Sequence, residues 1–310
     1  MGGQLKAAIY TKRNSGKCLE LIDINPPSPK QGEVLIKTWA SSVNPLDWRL
    51  KAHRPGVDVA GEVVSLGGGV TRFKQGDAVF GAAKGSFAEY VCARESKLAV
   101  KPDNISFEEA ACVPIAGLTA LQGLRDKGKL APGQKVLING AAGGVGTFAV
   151  QIAKALGAKV TGVCSARNLE MVRSLGADLL VDYGRQDFTN YTRYYDLVLD
   201  NVGNRTLSAF RRVLTPCGRC VLVGAPKQAG AGALLLRVLK ATAWSLFLRQ
   251  TFVFFIARMK SEDLESLCTL IRTGSVRPII DRRYSLCDTE KAIAYVEEGH
   301  ARAKVIITPG

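Results

Sequence analysis

Histidine and clustered cysteine are what this sequence of 310 residues most clearly lacks. Its only histidines, His53 and His300, are far apart, and its eight cysteines form no cluster of four. Cys217 and Cys220 have the spacing of a redox or metal motif, but no second pair accompanies them, and the neighbouring proline and glycine indicate a turn that enters a strand. Because zinc sites are built from sets of such ligands, the sequence predicts no metal site and thiols that stay reduced.

The sequence also shows no segment with the features of a transmembrane helix or of a targeting signal. A transmembrane helix needs about 18 to 20 apolar residues, and the most apolar segment, residues 234–258, is interrupted by Arg237, Lys240 and Arg249. This segment can be a basic amphipathic helix that makes peripheral membrane contact, or the wall of a substrate pocket followed by a subunit-contact strand around 251–256. The first residues resemble no export or import signal, so we expect a cytoplasmic protein.

Acidic residues are few, with 27 Asp and Glu against 42 Lys and Arg, which gives a formal net charge of +15. The basic residues are spread along the whole chain and form no polybasic block. A diffuse positive field suits a phosphorylated cofactor as well as a nucleic acid or an anionic lipid. We therefore expect a solvated basic surface and no nucleic-acid partner.

The pattern of the chain changes near residue 106. Short strand-like runs bounded by Gly and Pro fill residues 6–91, which predicts a mainly antiparallel β domain. Ser106 and Glu109 then form a capping box before a helical run at 110–124, which Pro114 interrupts. Strands and helices alternate from there, which indicates an α/β unit with a doubly wound parallel sheet. Its predicted strands are 136–138, 159–164, 179–182, 196–201 and 219–224, and its later helices are 168–175 and 206–214.

A strand, a glycine turn and a helix at residues 135–157 are the centre of this unit. Apolar residues at helical spacing predict a helix that Gly157 ends. Before it, Ala141, Gly143 and Gly146 occupy the three positions of the GxGxxG fingerprint, with Ala in place of the first Gly. A helix that begins directly after a strand presents free backbone N–H groups and the positive end of its dipole to a pyrophosphate. The turn and its surroundings together predict a dinucleotide site.

The end of the second strand of the alternating unit predicts which dinucleotide binds. NAD-binding sheets place a carboxylate there, about 20 residues past the turn, to hold the ribose 2′-OH. This chain has Ser165 and Arg167 instead, and its first acidic residue, Glu170, comes later in the helix. A hydroxyl and a guanidinium can bind a 2′-phosphate, which predicts NADPH rather than NADH. Tyr183, after the third strand, can reach the same phosphate or flank the adenine.

Motifs along nearly the whole chain add a resemblance that is specific when they are taken together. They lie at residues 44–47, 56–61, 76–79, 85–90, 117–120, 141–146, 200–203 and 299–304. With these motifs the chain resembles the zinc-independent, zeta-crystallin-like quinone oxidoreductases of the medium-chain dehydrogenase/reductase superfamily, and most of all their chloroplast-envelope and reticulon-interacting branch. The zinc-dependent relatives carry Cys at the position of Asn44 and a His-Glu pair at Val57 and Asp58.

The resemblance implies a GroES-like β domain at residues 1–114 and 261–310, a Rossmann domain at 115–260, NADPH and a homodimer. It also implies the cofactor contacts by position. Besides Gly143 and Gly146, these are Thr119, Ala142, Gly144, Val145, Ser165, Arg167, Tyr183, Asn201, Gly224 and Lys304, with Asn44 near the nicotinamide.

The expected reaction is hydride transfer from NADPH to a quinone or to the β-carbon of an α,β-unsaturated carbonyl compound. Without a metal, hydrogen-bond donors must stabilise the developing oxyanion, and Asn44 is the first candidate. Asp47 holds the loop of Asn44 or takes part directly. The loop at 48–55 is shorter than in the family, and His53 within it is expected on the surface. The alternatives are an NADPH-binding protein with a membrane-surface or RNA-binding role and little turnover, and a zinc alcohol dehydrogenase.

Overall fold

The computed structural model of the protein describes residues 5–13, 16–49, 52–190, 192–224, 231–299 and 301–309. The chain divides into two compact units. Unit 1 comprises Met1–Ala116, Met259–Gly274 and Pro278–Gly310, and unit 2 comprises Gly117–Arg258 and Ser275–Arg277. The predicted domain limits were residues 114 and 260. His300 and residues 50 and 51 of the 48–55 loop lie outside the described residues.

The amino-terminal part of unit 1 consists of short strands and two short helices. These elements are β1 (Leu5–Arg13), β2 (Gly16–Ile24), β3 (Glu33–Ser42), α1 (Pro45–Arg49), β4 (Asp58–Leu66), β5 (Ala78–Ala82), β6 (Tyr90–Arg94), β7 (Leu98–Val100) and α2 (Phe107–Ala111). β1 and β2 form an antiparallel ribbon. β3 is central because it pairs antiparallel with both β4 and β6.

Unit 2 alternates strands with helices. Its elements are α3 (Pro114–Gln122), which begins at the end of unit 1, β8 (Lys135–Asn139), α4 (Gly144–Ala155), β9 (Lys159–Cys164), α5 (Leu169–Ser174), β10 (Leu179–Asp182), β11 (Tyr195–Asp200), α6 (Leu207–Val213), β12 (Leu214–Leu222), α7 (Ala231–Phe247) and β13 (Thr251–Phe254). The six strands are parallel and lie in the order β10-β9-β8-β11-β12-β13. The order reverses between β8 and β11, which is the ligand-binding position of a doubly wound sheet.

The chain then returns to unit 1. It forms α8 (Ser261–Arg272), β14 (Ile280–Ser285), α9 (Thr289–Glu298) and β15 (Lys304–Thr308). β15 pairs antiparallel with β3 and so brings the carboxy-terminal residues next to the end of β3, where Ser42 precedes α1. The predicted α/β class, with a GroES-like β domain and a Rossmann sheet, is confirmed.

Local sequence signals explain most of these elements. Ser106 and Glu109 form the predicted capping box at the start of α2. Pro114 divides the helical run predicted at 110–124 into α2 and α3, because proline suits the first helical position but not the middle. Gly157 follows α4 with a φ of 78°, which favours glycine.

Two regions differ most from the sequence prediction. The last strand-like run of the β domain, at residues 86–91, forms a strand only from Tyr90, where β6 begins, and Ala88 makes only an isolated bridge to Ala7. The strand predicted at 219–224 begins earlier, at Leu214. Its pairing with β11 shifts register, so that residues 215–218 form an irregularity inside β12. The turn expected around Cys217 is therefore a bulge within a strand.

The apolar segment 234–258 forms most of α7 and all of β13. Among the described residues, no helix has the length and apolar character that a membrane crossing requires. The inner side of α7 packs on the core of unit 2, where Ala241 is buried and Trp244 and Leu248 contact the cluster around Phe252. Ser245 connects α7 to β13. Its hydroxyl accepts a hydrogen bond from the N–H of Phe252 and donates one to the carbonyl of Phe252.

Candidate active site

The carboxyl ends of five parallel strands of unit 2 meet at one edge of the sheet. The pairing registers place Asn139 of β8 opposite Val163 of β9 and Asp200 of β11. Ten of the predicted cofactor residues follow directly on these strand ends, so the sheet brings them together. They are Ala142, Gly143, Gly144, Val145 and Gly146 after β8, Ser165 and Arg167 after β9, Tyr183 after β10, Asn201 after β11 and Gly224 after β12.

In the glycine turn after β8, Gly146 and Gly143 have different surroundings. The N–H groups of Gly140 and Ala141 donate to the carbonyl of Val163, which fixes the turn to β9. A Cβ on Gly146 would lie 2.0 Å from the carbonyl oxygen of Gly140, so Gly146 is needed for the helix to pack against the turn. A Cβ on Gly143 would meet only that oxygen, at the ordinary distance of 3.5 Å. Gly143 therefore leaves open space at the start of α4.

This open space suits the pyrophosphate of a dinucleotide. Gly143 is the residue before α4 and has no side chain to satisfy the helix's first N–H groups, which have no partner inside the helix. Those groups and the positive helix end therefore point at whatever lies against Gly143. The second glycine of the fingerprint lets the backbone approach a pyrophosphate, and the third allows close packing of the helix. Gly143 and Gly146 meet these two requirements separately.

Asn201, at the reversal of strand order, has an unsatisfied side chain. Both Nδ2 and Oδ1 are buried, and neither has a hydrogen-bond partner among the described residues. The loops around it are closely packed: a Cβ on Gly140 would lie 2.7 Å from Val202, and one on Gly224 would lie 2.2 Å from the carbonyl oxygen of Asn201. Buried amides normally find partners. An unpartnered buried amide of this kind can bind a polar group of a ligand.

Beneath Asn201, Asp200 forms a buried ionic cluster that the sequence analysis did not assign. Its carboxylate accepts from Nδ2 of Asn139 at 2.8 Å, from the N–H of Gly203 at 3.0 Å and from Nη2 of Arg237 at 3.3 Å. Arg237 also donates to the carbonyl of Gly203 at 2.9 Å, which ties α7 to the strand ends. Burial raises the pKa of Asp200, and the hydrogen bonds and Arg237 oppose that rise. The sequence feature that could have indicated this cluster is the position of Asp200, a charged residue at the end of the apolar strand β11.

The residues predicted for the 2′-phosphate lie on two adjacent strand ends. Cys164 pairs with Asp182, and the N–H of Tyr183 donates to the carbonyl of Cys164 at 3.1 Å. Tyr183 is 58% exposed, Arg167 is exposed, and Ser165 is partly exposed. Two basic or hydroxyl-bearing side chains and an aromatic ring thus border one open edge of the sheet, which suits an adenosine with a phosphate on its ribose.

Unit 1 contains a second group of predicted residues, built on a buried lysine. Lys304, at the start of β15, donates from Nζ to Oδ1 of Asn44 at 2.8 Å and lies 3.4 Å from Oδ2 of Asp58. The amide of Asn44 in turn donates to Asp58 at 2.8 Å and to the carbonyl of Ser42 at 3.3 Å. Asp58 is completely buried and also accepts from the Ser42 hydroxyl at 2.6 Å. Both hydrogens of the Asn44 amide are therefore engaged, the one on Ser42 in the longer bond.

Asp47 holds the loop that follows Asn44. Its carboxylate accepts from the N–H of Asn44 at 2.7 Å and from the N–H of Gly56 at 2.9 Å, so it connects the two ends of the short 48–55 segment. Burial raises the pKa of Asp47 to about 7, against the two backbone hydrogen bonds, which lower it. The nearby charges of Asp58 and Lys304 act in opposite directions. This geometry matches the loop-holding role predicted for Asp47.

A cleft of about 190 Å³ lies beside Asp47. Its walls are mainly apolar, and Arg54, Lys84 and Lys97 contribute basic side chains to them. His53, in the same loop, is exposed, and its Nδ1 lies 3.1 Å from the carbonyl of Tyr10. The cleft is large enough for part of a small organic molecule but not for one of drug size.

Thr119 is the remaining predicted cofactor residue. Thr119 lies on α3, 8% exposed. Among the described residues, no group of three or more His, Cys, Asp and Glu side chains can hold a metal ion. Asp58 and Ser42 belong to the Lys304 cluster but were not predicted as site residues, since only the alignment of β3, β4 and β15 brings them together.

Known proteins are similar to this chain along nearly its whole length. The family described as "Alcohol dehydrogenase GroES-like domain" matches residues 30–103, and the one described as "Zinc-binding dehydrogenase" matches residues 175–307. The chloroplast envelope quinone oxidoreductase homolog of Arabidopsis thaliana is 34% identical, with 100% of both chains covered. The chloroplastic NADPH-dependent alkenal/one oxidoreductase of the same plant is 31% identical, covering 99% of this chain and 80% of that protein. The solved quinone oxidoreductase from Coxiella burnetii has a TM-score of 0.86 at 30% identity, covering 99% and 100%.

Proposed function

Because this chain belongs to the quinone oxidoreductase family of the medium-chain dehydrogenase/reductase superfamily, whose members are NAD(P)H-dependent oxidoreductases, we propose that it reduces small electron-poor carbonyl compounds with NADPH. Its substrates are quinones or α,β-unsaturated ketones and aldehydes, and the hydride goes to a quinone or to the β-carbon of the double bond. The observation that carries this proposal is the unpartnered amide of Asn201 beside the open glycine turn.

In this proposal each strand end of unit 2 has one task. The first N–H groups of α4, at Gly144 and Val145, hold the pyrophosphate. Ser165 and Arg167 hold the 2′-phosphate, so NADPH is preferred to NADH. Asn201 donates and accepts hydrogen bonds with the cofactor, and Gly224 leaves room for it. Bound there, the nicotinamide supplies the hydride.

The chemistry on the substrate side is proposed from the Lys304 cluster. Negative charge develops on the carbonyl oxygen during hydride transfer and must be met by hydrogen bonds or positive charge. Asn44 can donate the amide hydrogen that now makes the 3.3 Å bond to the carbonyl of Ser42, since that is the weaker of its two bonds. Lys304, bonded to the other end of the same amide, polarises it. Asp47 positions the loop, and the proton on the α-carbon comes from solvent.

We further propose a homodimer and a cytoplasmic location. All eight cysteines are free. A protein with that many unpaired thiols suits a reducing compartment.

The test is NADPH oxidation by the purified chain with a panel of quinones, enones and enals, followed by identification of the products, and with NADH in parallel. The expected result is consumption of NADPH and a product reduced by one hydride equivalent. Consumption of neither nucleotide across the panel, together with RNA binding that weakens steeply with salt, would instead support a binding protein with little turnover.

A further inference from the structure

The outward side of α7 is apolar, which is the reverse of an ordinary surface helix. Leu235 is 60% exposed, Leu236 67%, Leu239 57%, Leu246 77% and Phe247 87%. These residues follow helical spacing and lie on one side, opposite the side that packs on the core of unit 2. We call these five residues the α7 apolar face.

Contacts on the inner side of α7 fix the rotation of the helix about its axis. The exposure of the α7 apolar face follows from that packing. Arg237 is held by Asp200 and Gly203. One turn later Ala241 is buried, and Ser245 exchanges hydrogen bonds with Phe252. Arg237, Ala241 and Ser245 are each four residues apart and share one side of the helix. A rotation that buried the α7 apolar face would break all of these contacts.

The stretch of sequence that contains α7 carries charge of one sign only, which favours an anionic surface over a second copy as the partner of this face. Between Asp200 and Glu262 the sequence contains no acidic residue. The same stretch contains only basic charges, at Arg205, Arg211, Arg212, Arg219, Lys227, Arg237, Lys240, Arg249, Arg258 and Lys260. Lys240 and Arg249 lie on α7 and directly after it, and both are exposed. A second copy placed on this face would bring basic residues against basic residues, whereas an anionic surface would complement them.

We propose that the α7 apolar face inserts into the surface of a bilayer rich in anionic phospholipid. Leucine and phenylalanine enter the boundary between headgroups and acyl chains, as in interfacial amphipathic helices. Lys240 and Arg249 reach the phosphates, since long basic side chains extend their charge towards the headgroups. α7 lies along the membrane and does not cross it. This inference does not depend on the proposed reaction.

The experiment is co-sedimentation of the full chain with vesicles of phosphatidylcholine, with and without phosphatidylglycerol as about one third of the lipid. The wild-type protein is expected to bind the anionic vesicles. The variant L246E/F247E is expected to lower the partition coefficient about 100-fold, because two exposed apolar side chains no longer enter the lipid. The variant K240Q/R249Q is expected to lower it about tenfold, and only on anionic vesicles.

Leu179→Glu is the matched control. Leu179 is 52% exposed on β10, the edge strand opposite β13, so its replacement adds one acidic side chain far from α7, half the charge that L246E/F247E adds. It is expected to leave binding unchanged. Failure of the wild type to bind anionic vesicles, or equal binding by L246E/F247E, overturns the proposal. So does sedimentation velocity in which the wild type is a dimer without vesicle affinity and L246E/F247E is a monomer, because a second copy then covers the face.

Discussion

Replacing Gly143 or Gly146 by alanine separates cofactor binding from folding at the glycine turn. The two glycines are three residues apart, but their surroundings differ. The Cβ of G146A would lie 2.0 Å from the carbonyl oxygen of Gly140 and 2.7 Å from the backbone of Ala141, neither of which can move independently of the sheet. The Cβ of G143A has an ordinary contact at 3.5 Å, and Gly143 has a φ of −81°, which alanine adopts freely.

The expected magnitudes follow from these distances. G146A forces the first residues of α4 away from the glycine turn that follows β8. The free energy of unfolding is therefore expected to fall by about 3 kcal/mol or more, as for severe overpacking. In G143A two effects on stability offset each other. Alanine lowers the backbone entropy of the unfolded chain, which stabilises the fold, but it is a poorer helix N-cap than glycine, which destabilises it. The free energy of unfolding is therefore expected to change by less than about 1 kcal/mol. Its methyl group occupies the space for the pyrophosphate and displaces one or two charge-assisted hydrogen bonds, which raises the Kd for NADPH about 10- to 100-fold.

Two assays measure these effects. Urea unfolding followed by tryptophan fluorescence reports stability, and isothermal titration calorimetry reports the Kd for NADPH. If G143A binds NADPH as the wild type does, the pyrophosphate lies elsewhere. If G143A loses as much stability as G146A, the two glycines do not have separate roles.

Three further predictions follow from single side chains. Arg167→Glu is expected to weaken NADPH binding about tenfold or more relative to NADH, measured by the ratio of the two Kd values, while Arg173→Glu, with the same charge change, leaves the ratio unchanged. Asp47 has its pKa raised from 3.8 to about 7 by burial, so the folded state holds its proton longer than the unfolded state and stability falls as pH rises between about 4 and 7. In urea unfolding, Asp47→Asn is expected to remove about 3 kcal/mol of the decrease in the free energy of unfolding between about pH 5 and pH 8. Lys304→Met leaves the buried Asp58 without its ion-pair partner and is expected to lower the free energy of unfolding by about 3 to 5 kcal/mol, whereas Lys291→Met, in the exposed pair with Asp288, is expected to change it far less.

The Rossmann unit could be predicted closely because its signals are local. β9 and β10 begin and end at the predicted residues, since each is an apolar run between polar or glycine-rich turns. The early start of β12 could not be predicted, because a bulge is stabilised by the neighbouring strand and has no signature of its own in the residues around Cys217.

The predicted residues of unit 2 and those of unit 1 differ in the same way. The cofactor residues follow strand ends, and parallel strands bring their ends together whatever the intervening sequence is. The bond between Lys304 and Asn44 joins residues 260 positions apart and exists because β15 pairs with β3. The sequence indicates that Asn44 and Lys304 matter but not that they touch. It also does not indicate that the Asn44 amide is already occupied by Asp58 and Ser42.

An isotope measurement tests whether the chain moves a hydride from C4 of NADPH to an electron-poor carbon. NADPH labelled with deuterium on one face of C4 is incubated with the enzyme and an enone, and the product is analysed by mass spectrometry and NMR. We expect deuterium at the β-carbon from one of the two labelled forms and solvent hydrogen at the α-carbon. A reduced product without deuterium from either form would contradict it.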